Sequence, residues 1–169
     1  MSNREHILQT VRRLAIETGS VPSMGVIAQQ AGVSKGGLMH HFTSRTALVE
    51  GIAAQAIQDL DHALAAAAER GMVVETWLRL SSSPEEAALY RTISILLTDQ
   101  TSSTATLLQL AAEAAQRWER LFAVETGDPV AASIIRLLGD GMLLNSLADN
   151  DHGPGVDSIL LWLNRRSTR

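Results

Sequence analysis

The sequence predicts an all-α protein. Three observations carry that expectation. Nearly every segment repeats its apolar residues at helical spacing, and almost none alternates as a strand does. Capping residues recur where those segments begin, and glycines or Gly-Pro pairs stand where they end. The pattern resolves into about nine helices.

The first helix opens with a capping box from Ser2 to Glu5, carries Ile7, Leu8, Val11, Leu14 and Ala15 on one stripe, and closes at Gly19. Ser23 caps a short helix through Ala31, stopped by Gly32. Ser34 caps the next, from Lys35 to about Phe42. Thr43 or Ser44 starts a long helix with Leu48, Ile52, Ala56, Leu60 and Leu64 in register, ending near Gly71. Residues 72–80 form a short helix or turn. Ser83-Pro84-Glu85-Glu86 then places a cap, a proline in the first helical position and acids at the positive dipole end, opening a helix to about Asp99. Another helix runs from about Ser103 to Val124, with Leu107, Ala111, Ala114, Trp118 and Leu121 aligned. Asp128-Pro129 starts one that reaches about Ala148, and Gly153-Pro154 precedes a last helix over residues 155–166.

With 169 residues the chain is one compact unit or a small head on a larger body. Hydrophobic residues at 46% and charged residues at 19% place it among globular proteins. The absence of cysteine excludes disulfides and thiolate metal sites and fits a reducing cytoplasm. MSNREHILQT holds no apolar run of signal-peptide length, and no segment reaches the roughly 20 apolar residues of a membrane span, so a soluble cytoplasmic protein is expected. The net charge of −4 is unevenly spread. Residues 1–50 carry five basic and three acidic side chains, a net of +2, while the remaining nine basic and fifteen acidic residues leave the rest at −6. A weakly positive head on an acidic body points to a polyanionic partner for the head.

The informative stretch is IAQQAGVSKGGLMHHF, residues 27–42. Two short helices joined by Ala31-Gly32-Val33-Ser34 have the proportions of a helix-turn-helix. Ile27, Val33 and Leu38 are apolar where the helices share a core, Ala28 is small where they cross, and Gly32 suits the turn. Leu38, His41 and Phe42 fall on one face, which leaves Lys35, Gly36, Gly37, Met39 and His40 on the others. A capped helix N-terminus with a lysine and little side-chain bulk is suited to lying against a sugar-phosphate backbone in a major groove. The paired glycines, each costing about 1 kcal/mol in a helix interior, then serve close approach.

AGVSKGGLMHHFTSRTAL, with one capped helix before it and a long helix after it, resembles the DNA-binding head of the TetR family of transcriptional regulators. Ile27, Ala28, Ala31, Gly32, Val33, Ser34, Lys35, Gly36, Leu38, His41, Phe42, Ser44 and Leu48 carry the match, which covers about residues 4–50. The chain departs from the pattern at Met39, where tyrosine is usual, at Arg45, where lysine is usual, and at Gly25-Val26, where polar residues are common. A LacI-type head shares AGVSKGGL but begins at the extreme N-terminus and needs a longer α/β effector domain. The TetR resemblance implies a helix-turn-helix domain over residues 1–46 and a helical ligand-binding and dimerisation domain over 47–169. It implies double-stranded operator DNA as a partner, contacted through Ser23, Ser34, Lys35, Gly36, Gly37, Met39, His40 and Arg45. It also implies a homodimer released from DNA by a small-molecule effector.

For the body, Trp77, Tyr90, Trp118 and Phe122 are core residues by default, or at least two of them line an effector pocket with Tyr90, Arg91, Asp99 or Asn145 as polar anchors. The helix after Pro129 is apolar on more than one face, including Ile134 and Leu147, and so needs a second partner surface. The TetR resemblance implies that the last two helices pair with their counterparts in a four-helix dimer interface, with Ile135, Leu138, Met142 and Leu143, and Ile159, Trp162 and Leu163 of the last helix, as its expected residues. Adjacent His40 and His41 point about 100° apart on a helix and lack a third ligand, so one is expected at the core edge and one facing DNA, with no metal. No nucleophile-elbow context links the Ser, His and Asp residues, so neither an enzyme nor a cofactor is expected. The expected function is a DNA-binding regulator, a repressor in the first instance. The alternative is a helical interaction protein that keeps the head fold without specific DNA binding, to which Met39, Gly25 and the small positive charge lend support.

Overall fold

The computed structural model describes residues 2–90, 103–147 and 153–167, and among these every regular element is helical. The order is α1 (Asn3–Thr18), α2 (Met24–Gln30), α3 (Lys35–His41), α4 (Arg45–Ala68), α5 (Val73–Ser81), α6 (84–90), α7 (Ser103–Thr126), α8 (Pro129–Leu147) and α9 (Val156–Ser167). The ends of the helices predicted to reach Asp99 and Ala148 lie outside the described residues.

Local chemistry sets the boundaries. At α1 both halves of the capping box form: Glu5 N–H donates to Ser2 Oγ at 3.2 Å and Ser2 N–H to Glu5 Oε2 at 2.8 Å. Gly19 ends the helix at φ 66°, its N–H bonded to the Ala15 carbonyl. Residues 73–81 are helical without a side-chain cap of their own; Glu125 of α7 accepts from Val73 N–H at 2.5 Å and Val74 N–H at 3.3 Å. Ser83 caps α6 through Glu86 N–H, and Asp128 Oδ1 caps α8 through Val130 N–H at 2.8 Å.

The chain forms two compact units, one of Met1–Gln58 and Ala88–Leu110, the other of Asp59–Ala87 and Ala111–Arg169. The first is built on Ile7, Leu8, Val11, Ile27, Leu38, Phe42, Leu48, Ile52 and Leu89, all essentially without solvent contact. In the second, α5 packs on α8 and α9, and Trp77, Trp118 and Phe122 meet at centroid distances of 5.4 and 5.8 Å. The α7 stripe differs from expectation at two places: Ala111 is exposed, and Phe122 occupies the buried position next to a half-buried Leu121. The larger ring removes more apolar area from water than either, and so decides the register.

Candidate nucleic-acid interface

The head places α3 by anchoring one face and exposing the other. Leu38 and Phe42 are 0% and 2% exposed and pack with Ile27, Ala28 and Ala31 of the preceding turn of structure. Gly32 adopts φ 63°, where a side chain is strained, and lets Val33 N–H reach back to the Ala28 carbonyl at 3.0 Å. Ser34 is extended, its Oγ accepting from Gly37 N–H at 3.0 Å, and Ser23 caps α2 in the same way through Val26 N–H. Lys35, Gly36, Met39 and His40 are exposed, with Gly37 half-buried.

The two glycines differ. A Cβ on Gly37 would stand 3.2 Å from Ser34 Oγ, so this glycine keeps the cap hydroxyl clear. A Cβ on Gly36 would meet only Ser34 Oγ at 3.9 Å, an ordinary contact, so nothing inside the protein requires a bare backbone there.

Two side chains sit otherwise than their sequence positions led one to expect. His41, expected at the core edge, is exposed like His40, their rings edge-to-face at 5.4 Å; Leu38 and Phe42 suffice to fill the anchor. Arg45 turns its guanidinium inward, donating from Nη1 to the Pro22 carbonyl at 2.7 Å and from Nη2 to the Val21 carbonyl. It ties α4 to the chain between α1 and α2, using two donors that a phosphate fork would need. The sequence reading missed Gly51, where a Cβ would lie 2.8 Å from the Phe42 ring and 3.2 Å from Leu8. Its bare backbone seats the α3 anchor against α4, and only the fold brings these residues together.

Residues 7–52 match the family described as bacterial regulatory proteins, tetR family. The head belongs to the TetR family. The TetR-family match spans α1 to the first turns of α4, the elements that hold α3 in place. Among solved structures, a protein of Pseudomonas aeruginosa PAO1 named as a candidate transcriptional regulator resembles the chain with a TM-score of 0.61 and 19% identity, covering 98% of this chain and 88% of that one. At that identity the likeness is one of fold. Comparison with curated proteins returns no match.

In the body, which lies outside the matched segment, Trp77, Trp118 and Phe122 pack on one another. Trp77 Nε1–H donates to the Ile135 carbonyl at 3.0 Å, and Trp118 Nε1–H to Asp61 Oδ1 at 2.6 Å. Asn145 is exposed, Tyr90 is half-buried in the first unit, and Arg91 and Asp99 lie outside the described residues. An open cleft of about 320 Å³ between α7 and α8 is lined by Gln116, Arg120, Ala123, Pro129 and Ser133, among others, and by none of the expected pocket residues. Of the expected interface residues, Trp162 is exposed, Leu138, Met142, Leu143 and Leu163 are half-buried, and Ile135 and Ile159 are buried inside their own unit. Ile135 and Ile159 are therefore out of reach of a second copy. The outward apolar line on α8 is instead Val130, Ile134, Leu137 and Leu144, each at least half exposed, joined on α9 by Leu161 and Trp162. Among the described residues no helix is long and apolar enough to cross a membrane.

Proposed function

We propose that the chain is a homodimeric repressor that binds a two-fold operator and is released by a small molecule taken up by its body, residues 47–169, with the DNA-reading head over residues 1–46. The observation that carries this reading is the capped N-terminal face of α3, with Lys35, Gly36, Met39 and His40 exposed above a buried Leu38–Phe42 anchor. Each copy lays that face in a major groove, and the two-fold axis sets half-sites roughly 34–36 Å apart or at multiples of this. Support for the dimer comes from Val130, Ile134, Leu137 and Leu144, spaced by alternating four and three residues with Gly141 completing the row, the spacing of a helix–helix seam. The effector acts by preferring a head separation that no longer fits the operator, since only differential affinity for two states drives release.

Selection from a random duplex library with the full chain tests the reading. Enrichment of an inverted repeat is expected, and Lys35→Ala should weaken binding to every sequence and lower the salt slope by about 1. Failure of the wild type to bind or enrich any duplex at low salt overturns it. A thermal-shift screen then identifies the effector, because a binder raises the melting temperature by mass action.

A further inference from the structure

We propose that Arg4, seated on Phe42 at the C-terminal end of α3, is a further phosphate contact of the head, the counterpart of Lys35 at the N-terminal end. The proposal rests on the DNA-binding reading above and extends it to a residue before the matched segment.

Arg4 lies in the first turn of α1 and is exposed, yet it is not adrift. Its guanidinium carbon is 5.3 Å from the centroid of the Phe42 ring, and Nη2 lies 3.6 Å from where a Cβ on Gly51 would be. The start of the chain is thus folded onto the corner where α3 ends and α4 begins. The contact is a cation–π one, and among the described residues no hydrogen bond or ion pair takes the guanidinium's N–H donors, which are the groups a bidentate phosphate contact uses. Phe42, buried at 2% exposure, is a fixed base for that contact.

The other cations of the head are committed. Arg13 is bonded to Glu17 at 3.0 Å, Arg45 to the carbonyls of Val21 and Pro22, and Arg12 is also engaged. Among the described residues only Lys35 and Arg4, of the five basic side chains in residues 1–50, have no hydrogen-bonding or ion-pair partner. They mark the two ends of α3, whose seven residues span about 10 Å, close to the roughly 12 Å width of a major groove. Set across the groove, a helix of that length brings one cation toward the phosphates of each wall. His40 and His41, exposed in the last turn of α3, lie at the same end as Arg4.

The test is fluorescence anisotropy with a labelled duplex of mixed sequence, titrated from 50 to 200 mM KCl, because a phosphate contact is read on any sequence. Arg4→Met keeps an apolar stem against Phe42 and removes the charge. Its salt slope should fall by about 0.9, so the affinity ratio of wild type to variant shrinks about 3.5-fold across that range. Arg4→Lys should keep the slope. Lys35→Met should lose a similar amount, and Arg13→Met, which removes a cation already held by Glu17, should leave it unchanged. Circular dichroism confirms the fold of each variant; should Arg4→Met fail to fold, Arg4→Gln takes its place with the same expected loss. An unchanged slope in the folded charge-removing variant, beside a reduced one in Lys35→Met, overturns the proposal and leaves the DNA reading standing. A fall of equal size in Arg13→Met also overturns it, since the effect would then be one of net charge. A wild type that does not bind the duplex overturns the DNA reading itself.

Discussion

Replacing Gly139 by alanine should destabilise the protein, although alanine is the better helix former by about 1 kcal/mol. The reason is local to α8. A Cβ at this position would stand 2.1 Å from Nε1 and 2.4 Å from Cε2 of Trp77, and 2.8 Å from Ser81 Oγ. Ordinary contact needs about 3.5–4.0 Å, so the indole must withdraw by more than 1 Å. Trp77 is only 4% exposed, and withdrawal breaks its hydrogen bond to the Ile135 carbonyl, one helical turn before Gly139. Overpacking of this kind costs about 1–3 kcal/mol, and a buried N–H left without an acceptor costs about 1–3 kcal/mol more. After the gain in propensity the net loss is about 1–5 kcal/mol, with the middle of that range expected because the ring cannot leave without losing its bond. At 2–4 °C per kcal/mol for a chain of this size, the melting temperature should fall by about 5–12 °C. The measurement is thermal unfolding followed by circular dichroism and by tryptophan fluorescence at one protein concentration. A melting temperature equal to or above that of the wild type would refute the reasoning, because it would show that Trp77 does not lie across the bare backbone of α8.

Gly36→Ala should behave oppositely in stability: its Cβ finds ordinary contact, so the variant should gain a few tenths to about 1 kcal/mol while binding duplex DNA more weakly, and undiminished DNA affinity would remove close approach as the reason for this glycine. Leu137→Arg combined with Trp162→Arg should give folded monomers in light scattering, since both side chains are exposed in the isolated chain; dimers that survive both changes would move the interface elsewhere. Burial raises the Asp140 carboxyl above the ordinary aspartate pKa, with Arg136 opposing and Glu119 adding to the rise. An acid raised in the folded state contributes its stability fully below the unfolded pKa and loses it as pH rises through the folded value. Asp140→Asn should therefore melt no lower than the wild type at neutral pH and converge with it near about pH 4, and a variant clearly less stable at neutral pH would show that the bond from Arg136 outweighs burial.

What could be read from the sequence was what neighbours along the chain decide. Ser2 with Glu5, Ser34 with Gly37, and Asp128 with Val130 all close within three residues, so the letters alone placed the starts of α1, α3 and α8. The helix-turn-helix is likewise local, its turn set by Gly32 and its anchor by Leu38 and Phe42. Arg45 shows where such reading stops. Its charge and its place after Ser44 suit a phosphate, but the carbonyls of Val21 and Pro22, brought close only by the fold, take its donors first. Arg4 is the converse: nothing near it in sequence announces a role, and its position comes from a ring at the far end of the motif.

The body was harder for a related reason. α8 is apolar around most of its circumference, so periodicity could not say which residues turn inward. The answer comes from α5. Trp77 needs both a carbonyl to accept its N–H and a gap in the side chains through which to reach it, and α8 offers them together at Ile135 and Gly139. Once that pair faces Trp77, a helix of 3.6 residues per turn must turn Ile134, Leu137, Gly141 and Leu144 away from α5. Leaving Ile134, Leu137 and Leu144 more than half exposed costs hydrophobic stabilisation that burying them would supply. In the homodimer proposed above, the second copy covers that row. The glycine at 141, with nothing within 4 Å of its absent side chain, is where two such helices could approach most closely.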